Sequence, residues 1–296
     1  SSAASDVYKR QGSSAGIPLS AFVTWYWSWR VLYAGLGLAA LAAVLVIARL
    51  MPHTPGNPQS EIDWLSYGLM ASGFGLLSAS LVVGNQREWF ESAPFIVMLA
   101  VALLLIGLFG WRVVSVPKLI NLRIFQDINY CISTVILSAV LFFLFMVFAI
   151  VPRFLTVVVD NTIANYAWSF IPFSATVVLT GVMVTPGVSP HLLAPTIPAK
   201  KKLCSAAILA FALTALWIAN TCAQQDNTNI TVQLMAVGLC FALINCLEIQ
   251  MSFSTMPAEL MTSASSVLFF CTNLSKALSG GISGAILTLT SPVSYT

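Results

Sequence analysis

Eight apolar stretches, each near the length that crosses a bilayer, predict an all-α polytopic membrane helix bundle. Two further observations support that class. Charged residues are 8% of the chain and apolar ones 58%, with a mean hydropathy of +0.89, where a soluble domain carries about 25% charge. No run alternates polar with apolar residues as a lipid-facing barrel strand does.

The stretches fall at 31–50, 64–83, 93–111, 128–151, 168–185, 203–221, 232–250 and 265–289. A spanning helix needs about 20 mostly apolar residues, and each stretch comes close to that. An apolar stub at 15–27 precedes them; it is too short to span and reads as the tail of a helix. Residues 1–11 are polar and match nothing downstream, so they read as a non-native or disordered leader. The connections are short and carry breakers: Pro52, Pro55, Gly56 and Pro58 in one, Pro186, Pro190, Pro195 and Pro198 in another. The polar segment 222–231 is read as a loop, with the sequon Asn229-Ile230-Thr231 on the outer side. No loop is long enough to hold a soluble domain, so function must lie in the helices or the short loops.

Lys and Arg set the orientation. Alternate loops collect Arg49, Arg112, Lys118, Arg123, Lys200, Lys201 and Lys202 on one side, and Arg30, Arg87 and Arg153 on the other. The richer side is placed in the cytoplasm. Trp25, Trp27 and Trp29, and Trp89 with Phe90, read as interfacial anchors. The run Lys200-Lys201-Lys202 is a cytoplasmic loop cluster that acts as a topology signal.

Several function classes fall away. A net charge of +3, dispersed along the chain, gives no basic face for nucleic acid. The two histidines, His53 and His191, are isolated, and no CxxC pair occurs, so no metal site is expected. Cys131, Cys204, Cys222, Cys240, Cys246 and Cys271 read as small packing residues. No phosphate-binding loop, dinucleotide fingerprint or HExxH is present, and no cofactor is expected.

Ionisable residues inside apolar stretches cost about 2.5–3.5 kcal/mol at the bilayer centre, so they are functional candidates by default. Lys276 lies inside the last stretch with Asn273 one turn before it. Glu248 lies near the cytoplasmic end of its stretch with Asn245 one turn before it. These four are candidates for a substrate or proton pathway, against plain structural readings as a snorkelling lysine and an interfacial carboxylate. Arg153 and Asp160 flank the outer end of a run containing Pro152, as a mouth or as solvated charge. Gly280, Gly281 and Gly284 form a small-residue helix-packing face, and Gly68, Ser72, Gly75 and Ala79 form another. A membrane enzyme would need clustered His, Asp or Glu at the membrane face; the sequence has no such cluster, and no enzyme activity is expected.

Four landmarks, in order along about 270 residues, carry a resemblance. They are Ser28-Trp29-Arg30 with Val31, Leu32 and Tyr33; Gly84-Asn85 through Trp89-Phe90 to Ser92; Pro117 through Leu122, Phe125 and Tyr130; and Met256-Pro257-Ala258-Glu259 followed by Ser263 through Gly280. In these the chain resembles the fourteen-helix drug:proton antiporter branch of the major facilitator superfamily, the EmrB/QacA type. The departures are definite. Asn121 stands where the family has Asp, Lys276 where it has Arg, and Ser279 and Ser283 where it has glycines. No Asp precedes Lys200, which argues against a charge lock between helices at that loop.

The resemblance implies a truncated fragment covering helices six to thirteen. Residues 12–52 would be the end of the N-terminal half (the stub of helix five, then helix six), 53–127 the two linker helices, and 128–296 a partial C-terminal half. It implies proton-coupled efflux of drugs or other small amphipathic compounds, by a fragment not active alone. The implied partners are the lipid bilayer of a bacterial inner membrane, a small-molecule substrate, the proton gradient and a periplasmic adaptor protein. Two other readings stay open: a major facilitator exporter of a metabolite or siderophore, and a non-transporting polytopic membrane protein.

Overall fold

In hydrocarbon no water is present to satisfy backbone amides, so an apolar chain that crosses it must close its hydrogen bonds within each segment, as a helix does. In a computed structural model, residues 16–50, 63–84, 89–116, 121–157, 163–184, 197–220 and 227–290 are described. The leader 1–11, Arg87, Lys118, Asp160, Cys222, His53 and His191 lie outside these residues. The described elements are all helical: α1 (Gly16–Tyr26), α2 (Trp29–Leu50), α3 (Trp64–Gly84), α4 (Ala93–Ser115), α5 (Ile128–Val157), α6 (Ile163–Val184), α7 (Ile197–Ala219), α8 (Asn227–Ser254) and α9 (Met261–Thr290). Short 3-10 turns lie at Trp89–Glu91, Leu122–Gln126 and Ala258–Leu260.

All eight expected stretches are helices, and the stub is α1. By length and hydropathy six can span among the described residues: α2, α3, α4, and the windows Ile128–Arg153, Pro198–Ala219 and Thr228–Ser254. Within α6 the apolar part, Trp168–Val184, is shorter. The remaining helix, α9, is long enough, but Asn273, Lys276 and its many serines and threonines keep it out of that set.

Two expectations are corrected. Lys200, Lys201 and Lys202 do not lie in a loop; they lie in the first turns of α7, which starts at Ile197. Pro198 has the fixed φ that suits a helix start, and lysine is a good helix former. The second concerns the sequon: α8 starts at Asn227, so Asn229 sits in a helical turn, with Ile230 buried.

At the axis of the bundle is α8. Two thirds of its spanning window, 67%, is buried, against none of that of α2. It packs against α6, α7 and α5; α9 packs on α5 and on α3, and α1 sits against α6 and α2. Aromatic edges fill the α5–α6 seam, with Phe148 stacked edge-on to Phe173 at 5.1 Å. On α1, Phe22 meets Trp168 of α6 at 5.1 Å.

Glycine sets the closest approaches. A methyl at Gly238 of α8 would fall 2.5 Å from Thr176 Oγ1 and 2.9 Å from the Phe173 carbonyl oxygen of α6. One at Gly281 of α9 would fall 2.5 Å from Leu81 Cβ of α3. A methyl added at Gly280, Gly284, Gly68 or Gly75 would meet no neighbouring helix within 4 Å among the described residues. Of the three glycines assigned to packing on α9, only Gly281 makes the close approach, because Gly280 and Gly284 face another direction around the helix. Close contact between α3 and α4 falls instead to Gly73, where a methyl would lie 3.0 Å from Ile106 Cγ1.

The α3–α4 pair is tied at one end by polar groups. Asp63 Oδ1 accepts from the Ser66 N–H at 3.1 Å and Oδ2 from its hydroxyl at 2.8 Å, the arrangement of a helix N-cap. Arg112, near the end of α4, reaches Asp63 Oδ2 with Nε and Nη2, both at 3.0 Å, and Ser66 Oγ with Nε at 2.8 Å. These donors, the Ser66 amide first, hold the Asp63 carboxyl below its ordinary range.

Gly238→Val is expected to destabilise the bundle by about 1–3 kcal/mol, since overpacking a backbone contact forces the helices apart. Gly280→Ala should leave stability unchanged or raise it slightly. Thermal unfolding of both variants in detergent, followed by circular dichroism, checks the contrast.

Candidate functional site

The candidate residues separate into two places. Lys276 and Asn273 lie together on α9. Lys276 Nζ donates to Asn273 Oδ1 at 3.2 Å and stands 5.5 Å from the centre of the Phe145 ring on α5. One turn of helix and one aromatic face thus hold the ammonium group. Lys276 is half-buried and Asn273 exposed.

Glu248 and Asn245 are elsewhere. Both are buried on α8, one turn apart. Glu248 is 2% exposed and lines a cavity of about 270 Å³ near the end of the bundle that carries Lys200–Lys202. Its floor is α8, with Glu248 and Met251. One wall is α5, with Asn129, Ile132, Ser133 and Ile136; the other is α7, with Lys201, Cys204, Ser205 and Ile208. The two walls each pack along α8 and scarcely touch one another, which is why a groove is left between them.

The carboxylate is asymmetrically bound. Glu248 Oε1 accepts from the Cys204 thiol at 3.2 Å. Among the described residues nothing hydrogen-bonds to Oε2. Among the described residues the hydroxyls of Ser138 and Ser252 are likewise buried without a hydrogen bond. A thiol is a weak donor, so Oε1 is held loosely, while Oε2 is buried without a hydrogen bond from the described residues. A buried carboxylate without such a partner is costly.

Neutral groups hold the rim of the cavity. Lys200 Nζ donates to Gln250 Oε1 at 2.8 Å, and Gln250 Nε2 donates to the Val184 carbonyl of α6 at 3.4 Å. Lys201 Nζ donates across the groove to Asn129 Oδ1 at 3.4 Å. The basic cluster is therefore held by amides rather than by the missing Asp. Asp127, just before α5, caps that helix: Oδ1 accepts from the Asn129 N–H at 2.9 Å and the Tyr130 N–H at 3.3 Å. Its Oδ2 accepts from the hydroxyl of Thr255, which lines the cavity. The buried Tyr130 hydroxyl donates to the Ala264 carbonyl of α9 at 2.8 Å.

Sequence reasoning missed Asp127, Cys204 and Lys201 as parts of one site. The first precedes a predicted helix as a bare Asp, a cap signal that was available. The others lie together on α7, and only folding brings that helix to Glu248. Asn121, where the resemblance leads one to expect Asp, caps its 3-10 turn, its Oδ1 accepting from the Arg123 N–H at 3.2 Å; Asn and Asp cap equally well.

A bundle of apolar helices, six of them among the described residues long and apolar enough to cross a membrane, is the build of a multi-pass integral membrane protein. The chain is similar to the multidrug export protein EmrB of Escherichia coli strain K12, at 22% identity over 277 residues. It is similar to the protein of the same name from Haemophilus influenzae, at 23% over 278 residues. Each alignment takes in 89% of this chain and 50% of the relative. The chain thus spans about half the length of the curated relatives it matches. No family model matches it.

Asp127 is held below the ordinary carboxylate range, first by the Thr255 hydroxyl and then by the amides of Tyr130 and Asn129. A depressed folded value means its contribution is full above the ordinary carboxylate pKa of about 4 and is lost as pH falls through the folded one. Asp127→Ala should cost about 1 kcal/mol at neutral pH. The gap from the parent should close below about pH 4, as read by detergent-solubilised thermal melts across pH.

Proposed function

We propose that this chain is part of a proton-coupled efflux transporter for small amphipathic compounds. The observation that carries the reading is Glu248: a buried carboxylate, one oxygen of which receives no hydrogen bond from the described residues, lining a groove between helices near the basic end of the bundle. A protonatable group with access from one side is what coupling to a proton gradient requires. The printed names of the similar proteins, multidrug export proteins, point the same way. In transporter folds built of two rocking halves, substrate binds near the midplane between them. Lys276 and Asn273, on a partly exposed face of α9, are proposed to face that cavity, where a cation would favour anionic or neutral compounds. No covalent chemistry is required.

The division into a stub of the first half, a linker hairpin and a partial second half is proposed on the same grounds. The packing of α3 against α4, with α3 in turn on α9, supports treating that pair as a unit. A bacterial inner membrane and a periplasmic adaptor partner complete the proposal.

Flux in proteoliposomes containing the complete protein tests it. The parent should drive efflux of an amphipathic dye under an imposed pH gradient. Glu248→Gln should cut gradient-driven flux by about tenfold or more while keeping substrate exchange without a gradient. Lys276→Ala should change the substrate range. Absence of gradient-driven flux in the parent sinks the transport reading. Unchanged flux in both variants sinks the site assignment.

A further inference from the structure

Two helices grip α9 from different sides, and Lys276 lies between the contacts. On the α3 side, Phe74 meets Phe270 with ring centres 4.7 Å apart, and a methyl at Gly281 would fall 2.5 Å from Leu81 Cβ. Phe74 and Leu81 are about two turns apart, and Phe270 and Gly281 about three, so each pair shares one face of its helix. On the α5 side stands the Phe145 ring, 5.5 Å from Lys276 Nζ. At 3.6 residues per turn, Lys276 sits about 140° around α9 from Gly281.

The α3 surface is itself held rigid, because α4 closes on α3 at three levels. One end has the Asp63–Arg112 ion pair, and the middle has Gly73 against Ile106. At the other end Trp89 sits edge-on to Phe95 at 5.6 Å, and a methyl at Gly84 would fall 2.7 Å from Phe95 Cε2 and 3.0 Å from Trp89 Cε3. Trp89 has a φ of 52°, a left-handed backbone that a bulky residue keeps only where its surroundings over-determine it. On α9, by contrast, the hydroxyls of Thr272, Ser275, Ser279 and Ser283 donate to carbonyls of their own helix, so those protons do not tie it to a neighbour. Beyond the Tyr130 bond to the Ala264 carbonyl, the fit against α3 and α5 sets the rotation of α9.

Rotation matters at Lys276 because its side chain is a lever. Carbon atoms in ordinary contact lie about 3.5 Å apart, so a methyl at residue 281 would have to retreat by about 1 Å. The Cα atoms lie about 2.3 Å from the helix axis and side-chain tips about 5–6 Å from it, so a turn that gave this relief would carry Nζ more than twice as far. Cation–π attraction needs the charge within about 6 Å of the ring, and the observed 5.5 Å leaves little margin.

We propose that the α3–α4 hairpin is the positioning element for Lys276. Leu81 on Gly281 and Phe74 on Phe270 set the rotation of α9 and hold the ammonium group on the Phe145 side. Both residues act through Lys276 rather than by contact with substrate. The functional weight of the inference rests on the reading of Lys276 as substrate-facing, so its experiment reads geometry and transport separately.

Moving one methyl across the interface tests it in the complete protein. Gly281→Ala should drive α9 off Leu81, and adding Leu81→Gly should make room again. Gly280→Ala, on a face that meets no neighbouring helix, is the control. The geometric readout is a short thiol cross-link between positions 145 and 276 in a background carrying Phe145→Cys and Lys276→Cys, mapped by peptide mass. Its yield should fall severalfold with Gly281→Ala, recover in the exchanged pair and hold in the control. The transport readout is the flux ratio of an anionic and a cationic dye of one skeleton in proteoliposomes. Lys276→Ala should shift that ratio toward the cationic dye by about tenfold, the scale of a hydrogen bond to a charged group. Gly281→Ala should shift it the same way, and the exchanged pair should bring it back. Circular dichroism confirms that each variant is folded. Should Gly281→Ala fail to fold, Phe74→Ala loosens the same face without a clash, and the same two falls are expected. A cross-link indifferent to these variants, or one that Leu81→Gly does not restore, overturns the proposal. So does a dye ratio that Lys276→Ala shifts and Gly281→Ala does not. A cross-link that responds and recovers while Lys276→Ala leaves the ratio unchanged sinks the substrate reading alone and upholds the positioning.

Discussion

A helix enclosed on several sides inside a membrane has neither water nor headgroups to receive its polar side chains. That constraint falls on α8, the axial helix, which carries Gln233, Asn245, Glu248 and Ser252 in buried positions. Each must find a partner on a neighbouring helix or carry a cost of several kcal/mol in hydrocarbon. The arrangement of α5 and α7 follows from it. Cys204 is placed to donate to Glu248, and the Lys200–Gln250–Val184 chain ties the starts and ends of three helices. Where the partners stop, at Glu248 Oε2, the bundle leaves a groove.

Close approach sustains this geometry. Residue 238 is the point where α8 and α6 come near enough for a side chain to strike the Phe173 carbonyl, so only glycine fits. On the other side of the bundle Gly281 does the same for α9 against α3, reinforced by the Phe74–Phe270 ring pair at 4.7 Å. Dispersion between well-fitted surfaces is what holds helices together in lipid, because the hydrophobic effect no longer distinguishes a partner helix from an acyl chain.

The helices were legible because the bilayer imposes a length and a composition that a window of sequence can display. Lys276 with Asn273 was legible too, since partners one turn apart on a helix are visible in the chain itself. The groove was not. Asn129, Lys201, Cys204 and Glu248 are separated by up to 119 positions, and nothing local marks them as neighbours. The packing glycines were half legible for a related reason. The pattern of small residues shows where helices could approach, but which of Gly280, Gly281 and Gly284 meets a neighbour depends on how α9 is rotated. Lysines 200 to 202 were misplaced into a loop because charge and proline usually mark one, while Pro198 here opens the helix.

The polarity of α9 bears on how the chain enters the membrane. A helix such as α2, apolar between Arg30 and Arg49 and with no buried residue, can leave the translocation machinery for lipid by itself. By contrast α9 falls short of the hydropathy that would carry it across alone, and it brings a lysine with it. What makes its interior position tolerable is the Phe145 ring on α5 and the Leu81 surface on α3, both synthesised earlier. Its insertion is therefore a cooperative event that waits on helices made before it, and chain order becomes part of the folding code.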